Sequence, residues 1–214
     1  MPAKSANFKN GSTVPDCLRL SRDFFARPTP EVARQLLGMR LVRMEVGTRL
    51  SGIISEAEAY QGEQDQACHA RAGLTKRTAV MYGLPGHAYV YFTYGNHWML
   101  NFVTEAQGFP AAVLIRAIHP EEGLEVIASR RDAQPFERWT DGPGKLCKAL
   151  GIDGRHHGLD LCAPDSEIFV EWGETIPDSA VTIGPRVGLN NTPEPWKSMP
   201  WRYLYRESRV ENRK

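Results

Sequence analysis

Ser51-Gly-Ile-Ile-Ser-Glu56-Ala-Glu58-Ala-Tyr60, followed by Tyr89-Val-Tyr91-Phe-Thr-Tyr94-Gly95-Asn96-His97-Trp-Met-Leu-Asn101-Phe-Val103, decides how the rest of the chain reads. Both stretches alternate with the period of two that puts successive side chains on opposite sheet faces. The second folds back on itself at Gly95-Asn96, so it reads as a hairpin. Working outward, Met39 to Met44 alternates and Gly47 marks a turn, making 39–60 another hairpin. Strands are also expected at Ala112–Ile118 and near Glu167–Trp172, Ala180–Ile183 and Trp201–Tyr205. Thr29-Pro30-Glu31 supplies a hydroxyl N-cap, a proline at N1 and a first-turn acid, with Gly38 placed to stop that helix. Pro120-Glu121-Glu122 predicts a helix to about Arg131, and Pro143 one to Leu150, ending at Gly151. Hairpins rather than βαβ units dominate, which predicts an α/β (α+β) fold in a single domain over 21–214. Its sheet is mainly antiparallel and curved, with surrounding helices and a protruding β-hairpin. Residues 1–20 are polar and carry Pro2, Gly11 and Pro15, so they read as a disordered tail.

Composition narrows the class. A chain of 214 residues can bury one continuous core. No apolar run is long enough to span a bilayer and no signal-peptide core opens the sequence, so a cytoplasmic protein with no membrane partner is expected. Cys17, Cys68, Cys147 and Cys162 are scattered without CxxC spacing, which favours reduced thiols; His156-His157 with Cys147 and Cys162 fits no zinc spacing. No cofactor or metal is expected. A net charge of +1 argues against indiscriminate coating of nucleic acid. Cations still cluster as Arg71, Lys76 and Arg77, as Lys145 and Lys148, and as Arg202, Arg206 and Arg209, although such clusters are commonly solvated surface.

The chemistry-bearing residues converge. Glu56 and Glu58 share one strand face: read blandly, that face is simply exposed; read sharply, one of them is a general base. Glu58 is preferred because Ala57 and Ala59 keep its surroundings small and Tyr60 follows on its face, so partial desolvation raises its pKa. Tyr60, His69 and Tyr91 offer flat surfaces on which a planar base stacks. Val90 and Phe92 read as core. Tyr94 continues their face where burial runs out, a position suited to wedging between stacked bases. Asn101 among apolar neighbours needs partners, and Arg116 in Val-Leu-Ile-Arg116-Ala needs a carboxylate, for which Glu58 is the natural candidate. Asp141-Gly-Pro-Gly-Lys145 opens a helix whose free N–H groups suit a phosphate. A P-loop and a Gly-x-Gly-x-x-Gly fingerprint are both absent.

Read together, Glu56-Ala-Glu-Ala-Tyr60, Cys68-His69-Ala-Arg71, Pro85-Gly86, Tyr89-Val-Tyr91, Tyr94-Gly95, Asn101, Leu114-Ile-Arg116-Ala, Gly142-Pro143-Gly-Lys145-Leu-Cys147 and Arg186-Val187-Gly188 resemble the alkyladenine (3-methyladenine) DNA glycosylases of the mammalian type. The resemblance spans about residues 22–207. It implies an enzyme, acting as a monomer on double-stranded DNA with damaged purines, that flips the lesion out and hydrolyses its N-glycosidic bond. Under that resemblance Glu58 activates a water, which Arg116 and the main-chain carbonyl of Val187 help hold. Tyr60, His69 and Tyr91 enclose the base, and Asn101 excludes normal guanine. Tyr94 fills the gap in the duplex, and Asn96, His97 and Lys145 meet phosphates. No lysine matches a Schiff-base nucleophile, implying hydrolysis without strand cleavage. The sequence departs from that pattern in a slightly shorter 69–85 loop, in Asn96-His97 and in Asp141. Two other classes compete: a silent reader of flipped nucleotides, and a sugar hydrolase using Glu56 and Glu58 as a pair, which i, i+2 spacing on one strand serves poorly.

Overall fold

The longest strand, β2 (Thr48–Gln61), runs through the middle of the sheet and carries both acidic residues. The computed structural model describes residues 18–93 and 95–206. Tyr94 and nearly all of the 1–20 segment therefore lie outside the described residues. The other strands are β1 (Arg40–Glu45), β3 (Ala88–Thr93), β4 (His97–Val103), β5 (Ala111–Glu122), β6 (Ile168–Glu171), β7 (Val181–Gly184) and β8 (Arg202–Tyr205). They form one eight-stranded antiparallel sheet ordered β3-β4-β5-β2-β1-β6, with β8 pairing β2 and β7 pairing β8. The α+β architecture expected from the hairpin pattern is what forms, and the sheet curves without closing.

Two features of β2 prepare the site. Its Glu56–Glu58 stretch is paired on one side with β5 and on the other with β8, so it is interior to the sheet. Pairing with β5 also slips: Ile54 faces Ile118, Glu56 faces Ala117 and Ala57 faces Ile115. Ser55 and Arg116 are thus the extra residues of successive bulges. Bulges re-aim side chains, and this one turns Arg116 toward the two carboxylates.

Helices α1 (Arg22–Phe25), α2 (Thr29–Gln35), α3 (Leu124–Arg130) and α4 (Pro143–Leu150) surround the sheet. α2 packs on β2 and β5, α4 on β4 and β5, and α3 against α4. The main core gathers Phe25, Leu36, Leu41, Leu50, Ile54, Leu100, Phe102, Ile115 and Leu150. A smaller cluster of Cys68, Ala70, Met81, Tyr89, Val103 and Ala112 lies beneath the candidate site. None of the helices among the described residues is long and apolar enough to cross a membrane.

Local expectations fail at several points. Thr29 does not cap its helix: its hydroxyl bonds Thr104 and Glu105, and Pro28 stands at the cap position. Pro120-Glu121-Glu122 belongs to the end of β5, and the helix begins only at Leu124. Strand pairing outweighs the N1 signal there, and the break falls at Gly123, whose φ of 69° suits glycine. The 61–87 stretch, read as loop, contains single helical turns at His69–Ala72 and Ala79–Tyr82. Phe92, read as core, is 45% exposed and stacks on Trp98. It forgoes much of the roughly 1.5–3 kcal/mol that burial of a phenylalanine supplies.

Candidate active site

Glu58 has no exposed surface at all. Its Oε1 accepts the Val187 backbone N–H at 2.7 Å, and its Oε2 accepts the Tyr60 hydroxyl at 2.8 Å and an Arg116 N–H at 3.4 Å. An ionised carboxylate offers about four acceptor positions, three of which these donors fill, and Arg116 Nε lies 3.4 Å from Oε1 as well. Burial, the largest influence, raises the Glu58 pKa above its ordinary value, while Arg116, Val187 and Tyr60 pull it back down. The site therefore holds a carboxylate that is costly to ionise yet supported in its ionised form.

Glu56 is not on the exposed strand face that one reading allowed: it is 6% exposed and is the first partner of Arg116, whose Nε lies 2.7 Å from its Oε1. The expectation that Arg116 pairs chiefly with Glu58 is corrected accordingly, since its closest approach there is 3.4 Å. Arg202 Nε donates to the same Glu56 oxygen at 2.6 Å. Glu58, Arg116, Glu56 and Arg202 thus form one alternating chain of charge. Arg202, grouped in sequence with surface cations, is committed to it.

Tyr60, His69, Tyr91, Asn101, Arg116 and Val187 all line one cavity of about 310 Å³. This is at the lower end of the range for small-ligand sites, roughly 300–1,000 Å³. The Tyr60 ring packs on the Arg186 guanidinium at 4.6 Å, and its hydroxyl is held well above its usual pKa by burial and then by Glu58. His69 Nδ1 meets the Tyr89 hydroxyl at 2.8 Å, and its ring meets Tyr91 edge-on at 4.6 Å. Burial, reinforced by Arg77 and Arg71, lowers the His69 pKa to about 4. Asn101 finds the partners its position requires, donating to Tyr89 O at 2.9 Å. Val187 presents its N–H to Glu58, where the resemblance had singled out its carbonyl.

The remaining sequence candidates gather at one rim. Asn96 and His97 are exposed at the β3–β4 turn. His97 lies against Gly144 in the first turn of α4, where an added Cβ would come within 2.8 Å of the imidazole. That close approach places the turn beside the open end of α4, and Pro143 from the same turn lines the cavity. Lys145 is paired with Asp141 at 2.7 Å, so an incoming anion competes with that carboxylate.

Sequence reasoning missed the Asp65–Arg186 pair. Arg186 Nη2 meets Asp65 Oδ1 at 2.9 Å with both side chains fully buried, and Arg186 also donates to Ala59 O and Trp196 O at 3.0 Å. The guanidinium sits between Tyr60 and Trp201 and so fixes the segment that brings Val187 to Glu58. Arg186 next to Val187 in Arg-Val-Gly was the one available hint. His156 and His157 have local structural roles, bonding to Asp153 and to Val90 O. No cluster of three metal-ligating side chains occurs among the described residues.

Comparison with known proteins adds an independent finding. Residues 23–209 match the model of the methylpurine-DNA glycosylase family. A protein of Methanocella arvoryzae is 47% identical over 88% of this chain and 93% of its own length. One of Myxococcus xanthus is 48% identical over 88% and 91%, and one of Rhodopseudomonas palustris 45% over 89% and 88%. All three are provisionally named 3-methyladenine DNA glycosylases.

Proposed function

The chain belongs to the methylpurine-DNA glycosylase family, enzymes of DNA repair that hydrolyse N-glycosyl bonds, and on that footing we propose that it extrudes alkylated or deaminated purines from duplex DNA and hydrolyses their N-glycosidic bonds with a water activated by Glu58. The observation that carries the mechanism is the buried Glu58 carboxylate held by Tyr60, Arg116 and Val187, three residues that themselves line the cavity. A water donating there loses its proton to Glu58 as its oxygen bonds C1′. The glycosidic bond breaks, and its electron pair leaves with the purine. For a cationic base such as 3-methyladenine that pair neutralises the ring, so little beyond an activated water is needed. Arg116 orients the carboxylate and shields its charge.

Tyr60, His69 and Tyr91 enclose the base, each stacking contact contributing about 1–3 kcal/mol toward the cost of extrusion. Asn101, anchored to Tyr89 O, presents a fixed polar group that opposes the 2-amino group of normal guanine. Tyr94 occupies the gap left in the duplex. Asn96, His97 and Lys145 contact phosphates beside the lesion, helped by the free N–H groups of α4. Among the described residues the cavity lining includes no lysine, which supports hydrolysis without a Schiff base and hence without strand cleavage.

The competing classes account for less. A non-catalytic reader gains nothing from a buried, costly carboxylate. A paired-carboxylate sugar hydrolase needs a second free acid, yet Glu56 is occupied by Arg116 and Arg202. The test is an excision assay on duplexes carrying 3-methyladenine, 7-methylguanine, hypoxanthine or ethenoadenine, read before and after alkali. Abasic sites revealed only by alkali are expected. Nicks before alkali contradict the monofunctional reading, and no release from any lesion contradicts the function.

A further inference from the structure

Arg77 belongs to the same surface as Arg71 and Lys76 but has specific contacts with Tyr91, His69 and the Tyr89 hydroxyl. Its guanidinium lies 4.8 Å from the centroid of the Tyr91 ring, and its Nη2 is 3.4 Å from His69 Nε2. Tyr91 lines the cavity and also an outer groove with Phe92, Trp98 and His157; Arg77 lines the groove and is absent from the cavity's described lining. The cation is therefore behind Tyr91, and a base in the cavity meets the opposite face of the ring.

We propose that Arg77 is a positioning residue that sets the balance between cationic and neutral purines by fixing the hydrogen-bonding state of His69 and drawing electron density toward the outer face of Tyr91. This deepens the reading under Proposed function and rests on it. Arginine has only donors, so His69 Nε2 must offer its lone pair, and Nδ1 carries the hydrogen and donates to Tyr89. The imidazole is thus held neutral in one tautomer beside the base. The groups facing it are Arg77 and Arg71 from its own loop, Tyr89 and Tyr91 from β3, and the neighbouring Cys68, whose thiol is pushed up to about 12 and stays neutral. Arg116 lines the same cavity. Burial and the two nearby arginines depress the His69 pKa to about 4, in the direction this geometry requires. The second effect is on Tyr91. A ring face attracts cations through its negative potential, and a cation already bound behind it weakens that attraction.

The two effects separate with pH. In Arg77→Met at about pH 8, where His69 is neutral with or without Arg77, the ratio of kcat/KM for 7-methylguanine over hypoxanthine rises about 3- to 10-fold, the size of one cation–π contact. As pH falls, excision of 7-methylguanine by Arg77→Met declines at a higher pH than in the wild type, because His69 gains a proton more readily without Arg77 although burial and Arg71 still oppose it. Arg77→Lys, which keeps the cation, holds the wild-type ratio. The His69 titration is followed in parallel by NMR of the free protein, a readout that a merely structural role would not move. An unchanged ratio together with an unchanged His69 titration in Arg77→Met overturns the proposal. If the wild type excises neither lesion, Proposed function and the selectivity claim fall together, whereas the histidine titration still decides whether Arg77 controls His69.

Discussion

Tyr60 donates its hydroxyl to Glu58 Oε2 at 2.8 Å while its ring forms a wall of the cavity, so one side chain serves both the base and the carboxylate. The phenol is itself locked by Arg186 packed on its ring. The two functions can be separated by mutation.

Tyr60→Phe keeps the ring and removes the donor. A hydrogen bond to a charged group contributes about 1.5–3 kcal/mol, so single-turnover excision at neutral pH should fall by roughly 10- to 100-fold. Affinity for a lesion duplex should change little. Because the lost bond had favoured the carboxylate, the pH at which the rate rises should move upward. A pH–rate profile identical to that of the wild type would remove Tyr60 from this role.

Glu58 makes the protein pay for ionisation. Its folded pKa is raised chiefly by burial, so the proton is held more tightly folded than unfolded. The sign follows: stability is greatest below the unfolded value of about 4.5, declines as pH climbs to the folded value, then levels. Glu58→Gln lacks this decline. Its melting temperature relative to wild type should therefore increase from about pH 4 to about pH 7, at roughly 2–4 °C per kcal/mol for a chain of this size. Any pH-independent effect of the amide cancels in that trend. Thermal melts that stay parallel across the range would contradict the raised pKa.

Asp65→Asn leaves Arg186 buried without its counter-charge. Breaking a buried pair costs about 3–5 kcal/mol, seen as a lower urea midpoint at constant slope. Since Arg186 fixes the neighbouring Val187 N–H on Glu58, excision should also weaken among molecules that remain folded. Stability within about 1 kcal/mol of wild type would show that the pair does not carry the segment.

The strands were legible because each half-buried face repeats with a period of two, and that pattern survives in any single stretch. β2 and the β3–β4 hairpin therefore emerge with nearly their observed bounds. What stayed hidden depends on contacts between distant segments or on insertions of one residue. Nothing in Leu-Ile-Arg116-Ala announces a bulge, so Arg116 was aimed at Glu58 rather than at Glu56. Glu56 is buried only because β8 arrives from far along the chain to cover it. Asp65 and Arg186 stand 121 positions apart, and neither is unusual where it occurs. Phe92 misled because alternation gives the face of a side chain but not whether another layer covers that face. The cavity residues Tyr60, His69, Tyr91 and Asn101 do converge, since their strands were placed correctly and the connecting 61–87 stretch was expected to lie between them, although its helical turn at His69–Ala72 was not.

The central claim is that Glu58 takes the proton from the attacking water. It is tested most directly by single-turnover release of 3-methyladenine or hypoxanthine by Glu58→Gln, with duplex affinity measured on the same samples. Loss of a general base predicts a rate lower by about 10²- to 10⁴-fold with binding retained. Release at the wild-type rate by the folded, DNA-bound variant would contradict the account.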